Sequence, residues 1–103
     1  MEQFNKESFE QAIAGSGLTV VDFWADWCGP SMMLGPVIEQ LGKEYEGKAT
    51  FGKVNVDDEQ DLAMRYNVMS IPTVIFFKDG QELTRKVGLQ QPDIFIEEIE
   101  ANL

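Results

Sequence analysis

The chain has 103 residues, 44% hydrophobic and 25% charged, a length and balance that suit one ordinary globular domain. Its 18 acidic residues outnumber its 8 basic residues, and the formal net charge of −10 argues against partners such as nucleic acid or an anionic membrane. With no histidine and one cysteine, the chain cannot form a Cys–His catalytic pair, a histidine-based metal site or an internal disulfide.

The first half of the chain predicts two helices separated by a strand. Helical spacing of apolar residues predicts a first helix that ends near Gly15–Gly17. The apolar, β-branched run Leu18–Ala25 predicts a strand buried on both faces, and Asp26–Ser31 then forms a turn. A long helix follows and ends before Gly47. The apolar positions that mark the two helices are Phe9, Ala12 and Ile13, and Leu34, Val37, Ile38, Leu41 and Tyr45.

The middle of the chain predicts a second strand and a short helix. Thr50–Val56 alternates between apolar and other residues, as a strand does. Asp57 and Asp58 are suitable N-caps for a helix over Glu59–Tyr66. This acidic run lacks the glycine and the spacing of a calcium loop, so we interpret it as a solvated helix start.

The last third predicts a hairpin and a final helix. Thr73–Phe77 is an apolar strand, and Asp79-Gly80 is typical of a hairpin turn into an antiparallel strand over Glu82–Val87. Pro92 suits the first turn of a helix whose apolar face is Phe95, Ile99 and Leu103. Alternating helices and strands imply parallel βαβ units, so we expect an α/β fold with a mixed central sheet flanked by helices on both faces.

Cys28 is the residue on which the functional prediction depends. It follows a buried strand and precedes a helix, at the sheet edge where α/β proteins form their sites. Free backbone N–H groups and the helix dipole favour a negative charge there, here the nucleophilic thiolate. A lone cysteine is more often a small buried apolar residue, but Trp27 before it and Gly29-Pro30 after it favour a reactive thiol.

Segment 23–30 (FWADWCGP) closely resembles the active-site segment of the thioredoxin family. The resemblance covers nearly the whole chain, including Ile71-Pro72-Thr73, residues 77–80 (FKDG) and Lys86-Val87-Gly88. It implies a single thioredoxin-fold domain over residues 1–103 that acts as a protein dithiol–disulfide oxidoreductase. Thioredoxin reductase and disulfide-containing target proteins are the implied partners, and no metal or organic cofactor is implied.

Ser31 is the main departure from the family pattern, Trp-Cys-Gly-Pro-Cys, because it occupies the position of the second cysteine. In the family, the first cysteine attacks a substrate disulfide and the second resolves the mixed disulfide. A serine hydroxyl does not exchange with disulfides, so the reaction of Cys28 should stop at an intermolecular disulfide. In the free protein, we expect Ser31 to donate a hydrogen bond to the Cys28 thiolate. We interpret Ser31 as a substitution introduced to trap a partner; a natural single-cysteine relative is the alternative.

Asp22 lies within an apolar strand, where a charge is costly unless it is protonated or paired. One interpretation is a buried carboxyl with a raised pKa that serves as general acid or base, the role that the resemblance implies; the other is a carboxylate that reaches solvent. The resemblance places Lys53 near this aspartate, although lysines in strands commonly extend to solvent.

Ile71-Pro72 would be trans by general frequency, since only about 5–6% of such bonds are cis. The resemblance instead implies a cis bond beside Cys28, with the Ile71 backbone free to pair with substrate. It also implies an apolar docking surface, for which ordinary turn and core residues are the alternative. The residues of this docking surface are Trp27, Gly29, Pro30, Ile71, Pro72, Val87, Gly88 and Leu89. Met32 stands where the family often has a lysine, so it removes a positive charge.

Two other functions stay open at this point. A monothiol enzyme of glutaredoxin type would need polar groups that bind glutathione, and the surroundings of Cys28 are apolar. A non-catalytic binding module would use the same surface without the thiol. The absence of disulfides, of a signal peptide in the first 15 residues and of an apolar run of roughly 20 residues predicts a cytoplasmic protein. We also expect it to be a monomer on its own.

Overall fold

A computed structural model describes residues 1–103, in which helices and strands alternate along the chain. All the predicted elements are present, and a short first strand is added that the sequence pattern did not indicate. None of the helices combines the length and the apolar character needed to cross a bilayer. The elements are β1 (Glu2–Gln3), α1 (Lys6–Ala14), β2 (Leu18–Trp24), α2 (Gly29–Glu44), β3 (Thr50–Asn55), α3 (Gln60–Arg65), β4 (Thr73–Lys78), β5 (Gln81–Val87) and α4 (Pro92–Ala101).

One five-stranded sheet organises the molecule, in the order β1-β3-β2-β4-β5. β3 runs parallel to β1 and to β2, whereas β4 runs antiparallel to β2 and to β5. β2 therefore lies at the centre, with strands on both sides, which explains why its residues are apolar on both faces. The predicted mixed sheet is confirmed.

Helices cover both faces of the sheet because successive strand residues point to opposite sides. Val20 of β2 belongs to one core cluster, which contains the apolar faces of α2 and α4. Val21, the next residue, belongs to a second cluster that contains Phe9 of α1 and Leu62 of α3. The two clusters lie on opposite faces of the sheet, as the α/β prediction requires.

Two details of the sequence prediction are wrong. Asp57 and Asp58 do not cap α3, because the helix begins at Gln60, with Glu59 at the N-cap and no side-chain cap bond. Leu103 does not continue the apolar face of α4, since the helix ends at Ala101 and Leu103 is half exposed. The Asn102 side chain closes this end by donating to the Glu98 carbonyl oxygen at 2.8 Å.

Candidate active site

The sheet topology brings four segments to one edge. β2 and β3 are parallel, so their carboxyl ends deliver Cys28 and Asp57 to the same edge. β4 is antiparallel to β2, so its beginning delivers Ile71-Pro72 there, and the end of β5 delivers Val87–Leu89. The predicted site residues from distant parts of the chain therefore meet because of strand direction.

Cys28 is the N-cap residue of α2, with extended backbone angles, φ −99° and ψ 110°. Its carbonyl oxygen accepts from the Met32 N–H at 3.0 Å, and its own N–H donates to the Ala25 carbonyl oxygen at 3.2 Å. These bonds fix the backbone of Cys28 at the N-terminus of the helix. The residue is partly exposed, with Sγ 3.6 Å from the Ile71 carbonyl oxygen, so the alternative of a sealed apolar cysteine is wrong.

The Ile71–Pro72 peptide bond is cis. The resemblance predicted this isomer, whereas the general frequency of such bonds predicted trans. Pro72 is buried and Ile71 is partly exposed. The Pro72 carbonyl oxygen accepts from the Gly88 N–H at 2.7 Å, which ties the β5 end to this segment. Gly88 has a φ of +88°, a conformation that favours glycine, so its identity follows from the backbone.

The predicted docking surface is mostly open to solvent. Trp27 is 69% exposed, and Val87 and Leu89 are exposed by nearly half. Gly29 and Pro30 are exposed as well, while Gly88 is partly exposed. Met32 and Met33 follow on α2 and are 51% and 65% exposed, so they extend the apolar surface beyond the predicted docking residues. The thiol therefore lies among accessible apolar side chains.

Asp57 is a site residue that the sequence reasoning assigned to a helix cap. Its Oδ2 atom accepts a hydrogen bond from Trp27 Nε1 at 2.8 Å. The carboxylate therefore holds the exposed indole beside Cys28. No local pattern links these residues, which are 30 positions apart, and only the parallel pairing of β2 with β3 brings them together.

The environment of Asp22 agrees with the first interpretation, a buried carboxyl with a raised pKa. Its side chain is 1% exposed, and Oδ1 has no hydrogen-bond partner. Burial raises the pKa of this carboxyl to about 7, and the positive charge of Lys53 only partly offsets that effect. The solvent-reaching alternative for Asp22 is therefore wrong.

Lys53 is the register partner of Asp22 on the neighbouring strand. Its Nζ lies 5.0 Å from the centroid of the Trp24 ring, at the distance of a cation–π contact. Trp24 in turn donates from Nε1 to Gln3 Oε1 at 3.1 Å. The lysine therefore lies near the buried carboxyl, as the resemblance implied, but its head group contacts an indole.

Ser31 is 1% exposed, and its Oγ atom has no hydrogen-bond partner. The predicted hydrogen bond from Ser31 to Cys28 is therefore absent, because Oγ faces the interior. Ser31 and Asp22 both line a cavity of about 180 Å³. Its lining residues are Asp22, Trp24, Ser31, Met32, Gly35, Pro36, Glu39 and Lys53.

This geometry defines a class of protein: a thiol–disulfide exchange protein with an accessible cysteine at a helix N-terminus and a cis-proline beside it. No three histidine, cysteine, aspartate or glutamate side chains converge in a metal-binding arrangement. The thioredoxin family model matches residues 1–101. The chain belongs to the thioredoxin family, whose members are thiol–disulfide oxidoreductases.

Individual relatives agree with this assignment. Thioredoxin from Staphylococcus aureus is 49% identical over 88 residues, which are 85% of each chain. Among solved structures, a point mutant of thioredoxin from Halobacterium salinarum superposes with a TM-score of 0.89 at 34% identity, covering 99% of this chain and 88% of that one. Plasmodium falciparum thioredoxin gives a TM-score of 0.89 at 29% identity and covers 98% of both chains.

Proposed function

We propose that this chain attacks disulfides of target proteins through Cys28 and stops at the mixed disulfide, so that it captures its partner covalently. The observation that carries this proposal is the pairing of an accessible thiol at Cys28 with a buried hydroxyl at Ser31. Cys28 has the accessible thiol that nucleophilic attack on a disulfide needs. Ser31 lacks the second thiol that would resolve the mixed disulfide.

The capture step exchanges one S–S bond for another. The Cys28 thiolate attacks one sulfur of the target disulfide, and a bond forms between that sulfur and Sγ. The target S–S bond breaks, and its other sulfur leaves as a thiolate that takes a proton from solvent. No net oxidation or reduction occurs, so the step needs no further oxidant or reductant.

Resolution would require a second thiolate to attack the Sγ atom of Cys28. Cys28 is the only cysteine, and the Ser31 hydroxyl cannot form and pass on a disulfide. Release of the partner therefore needs a thiol from another molecule. In a form with cysteine at position 31, the two sulfurs would form the internal disulfide and thioredoxin reductase would supply the electrons that reopen it.

Asp22 is proposed as the proton acceptor for a thiol at position 31. The two side chains line the same cavity, and a pKa of about 7 keeps the carboxyl able to bind and release a proton near neutral pH. Lys53, which lines the cavity too, favours the ionised carboxylate and so partly offsets the rise in its pKa that burial causes. With serine at position 31, Asp22 has no thiol to deprotonate, so the capture step proceeds without it.

The docking surface is proposed to hold the target segment while Cys28 reacts. Ile71 offers backbone groups for strand-like pairing, and exposed Trp27, Val87 and Leu89 give apolar contact around the thiol. We propose that the protein works in the cytoplasm, because a free thiol without internal disulfides suits a reducing compartment.

The Ser31→Cys variant tests this function. Mixed with a disulfide-containing protein, the parent chain should give a one-to-one adduct that dithiothreitol cleaves, visible on a non-reducing gel. Ser31→Cys should instead reduce that protein repeatedly when thioredoxin reductase and NADPH are supplied. Cys28→Ala is the control and should do neither.

Two results would contradict the proposal. If Ser31→Cys showed no turnover, the assigned roles of positions 28 and 31 would be wrong. If Cys28→Ala retained all binding to the partner that the parent captures, the binding-module function would replace it.

A further inference from the structure

The docking surface has an acidic border on the side of β3. Along the sheet edge, the end of β3 lies next to the end of β2, and it carries Asp57 and Asp58. Asp57 contacts the indole of Trp27 directly, and Asp26 precedes that tryptophan in the chain. All three aspartates are exposed, so negative charge reaches the rim of the thiol site.

On the side of β5, the segment next to the thiol presents two exposed apolar side chains. The strands β4 and β5 continue the sheet away from β3, and β5 ends at the exposed side chains of Val87 and Leu89. On α2, the exposed Met32 and Met33 add flexible, polarisable side chains near the thiol, and Met32 also lines the cavity that contains Lys53 of β3. A partner segment therefore meets carboxylates towards β3 and hydrocarbon towards β5.

The basic residues do not neutralise this border, because most of them are engaged elsewhere. Arg65, Arg85 and Lys86 are paired with Glu10, Glu82 and Glu98. Lys78 donates to the Asn102 carbonyl oxygen, and Lys53 lies against Trp24.

The three remaining lysines do not cancel the negative charge of the border. Lys43 and Lys48 lie at and beyond the carboxyl end of α2, a helix of 16 residues that is about 24 Å long and begins at the thiol. Lys6 alone shares the hollow beside β3, where it faces four carboxylates: Asp57, Asp58, Glu59 and Asp61.

We infer that the docking surface selects protein disulfides that are flanked by basic residues, the basic residues meeting the border formed by Asp26, Asp57 and Asp58. This inference rests on the proposed function, because it concerns which disulfides Cys28 attacks. Asp57 is the central residue of the border, since it both holds Trp27 and faces an arriving segment. Charge complementarity of this kind acts mainly on the rate of encounter.

The test measures how fast Cys28 reacts with matched peptides. Three short peptides share one cysteine, activated as a mixed disulfide with 2-thiopyridine, and carry lysine, glutamine or glutamate beside it. Cys28 attacks the peptide sulfur, the S–S bond breaks, and the released pyridine-2-thione keeps the proton and absorbs light. Because Ser31 cannot resolve the product, each reaction is a single second-order event.

Asp57→Asn and a remote variant separate the local border from the overall charge of −10. Asparagine keeps an oxygen that accepts from Trp27 while it removes the charge. Glu46→Gln, beyond the far end of α2, makes the same change in net charge away from the thiol. Dipyridyl disulfide, which is small and uncharged, reports the intrinsic reactivity of Cys28 in every variant.

We expect the lysine peptide to react about tenfold faster than the glutamate peptide at low salt, and the two rates to converge at 1 M salt, where screening acts within about 3 Å. Asp57→Asn should lower that ratio about twofold or more, whereas Glu46→Gln should leave it nearly unchanged. Equal rates for the three peptides, or equal effects of the two variants, would overturn the inference. Failure of Cys28 to react with dipyridyl disulfide would instead overturn the proposed function.

Discussion

Asp22 and Lys53 are register partners on two neighbouring parallel strands and line one cavity, yet they form no ion pair. The Lys53 ammonium lies over the Trp24 ring, and the carboxyl loses its hydration without gaining a close counter-charge. Desolvation therefore dominates and raises the pKa of Asp22 from 3.8 to about 7.

We predict that this raised pKa makes the protein less stable as the pH rises from about 4 to about 7. In that range the folded state keeps the Asp22 proton and the unfolded state has lost it, so stability falls with pH and levels off above pH 7. Asp22→Asn removes the charge and should raise the free energy of unfolding at pH 8, by up to about 4 kcal/mol.

Urea unfolding of the parent and of Asp22→Asn at pH 5 and pH 8 measures this effect. The stability gap between the two proteins should be larger at pH 8. The exposed Asp93→Asn serves as the matched control and should show no such growth. An equal gap at both pH values would mean that Asp22 titrates as an ordinary aspartate.

We predict that Ser31→Ala keeps or raises the stability of the fold, by up to about 1 kcal/mol, because the buried Oγ atom has no partner to lose. Thr73→Val is the comparison, since the Thr73 hydroxyl donates to the Ser70 carbonyl oxygen at 2.6 Å. Its loss should cost about 1 kcal/mol. Thermal and urea unfolding measure both; a clear loss in Ser31→Ala would reveal a partner for the hydroxyl, such as water in the cavity.

Gly52 and Gly35 should respond in opposite ways to alanine. A Cβ atom at Gly52 would lie 2.2 Å from the Phe4 ring, which is buried, so Gly52→Ala should destabilise the fold by about 1–3 kcal/mol. Gly35 lies inside α2 with open space around its Cβ position, so Gly35→Ala should stabilise by up to about 1 kcal/mol. Equal effects in urea unfolding would contradict the close packing of Phe4 on Gly52.

The sequence pattern predicted most of the fold because the elements have strong local signals. The apolar run of β2 and the Asp79-Gly80 turn between β4 and β5 are visible without tertiary information. β1 escaped prediction because two exposed residues carry no pattern, and pairing with β3 alone makes them a strand. Asp57 was wrongly predicted to cap a helix because aspartate is a common N-cap residue. Its carboxylate instead accepts a hydrogen bond from the indole of Trp27, which is distant in the sequence.

Two residues of the site were predictable from the sequence. Cys28 is a lone thiol in the turn between a strand and a helix, and Asp22 is a carboxyl inside an apolar strand. The orientation of Ser31 was not predictable, since position in a motif does not fix where a hydroxyl points. The cavity lined by Asp22 and Ser31 follows from the packing of α2 on the sheet. Likewise, the acidic border depends on the order of the strands, which local patterns do not specify.

Apart from the start of α2, the segments that border the thiol precede or follow strands of one sheet, and neighbouring strands are held about 4.8 Å apart by their backbone hydrogen bonds. The spacing between these segments is therefore independent of which side chains they carry. Exchanging residues such as Asp57 or Leu89 would alter which proteins are accepted while the reactive sulfur stays in place. One fold can therefore give rise to relatives that carry out the same disulfide exchange on different target proteins.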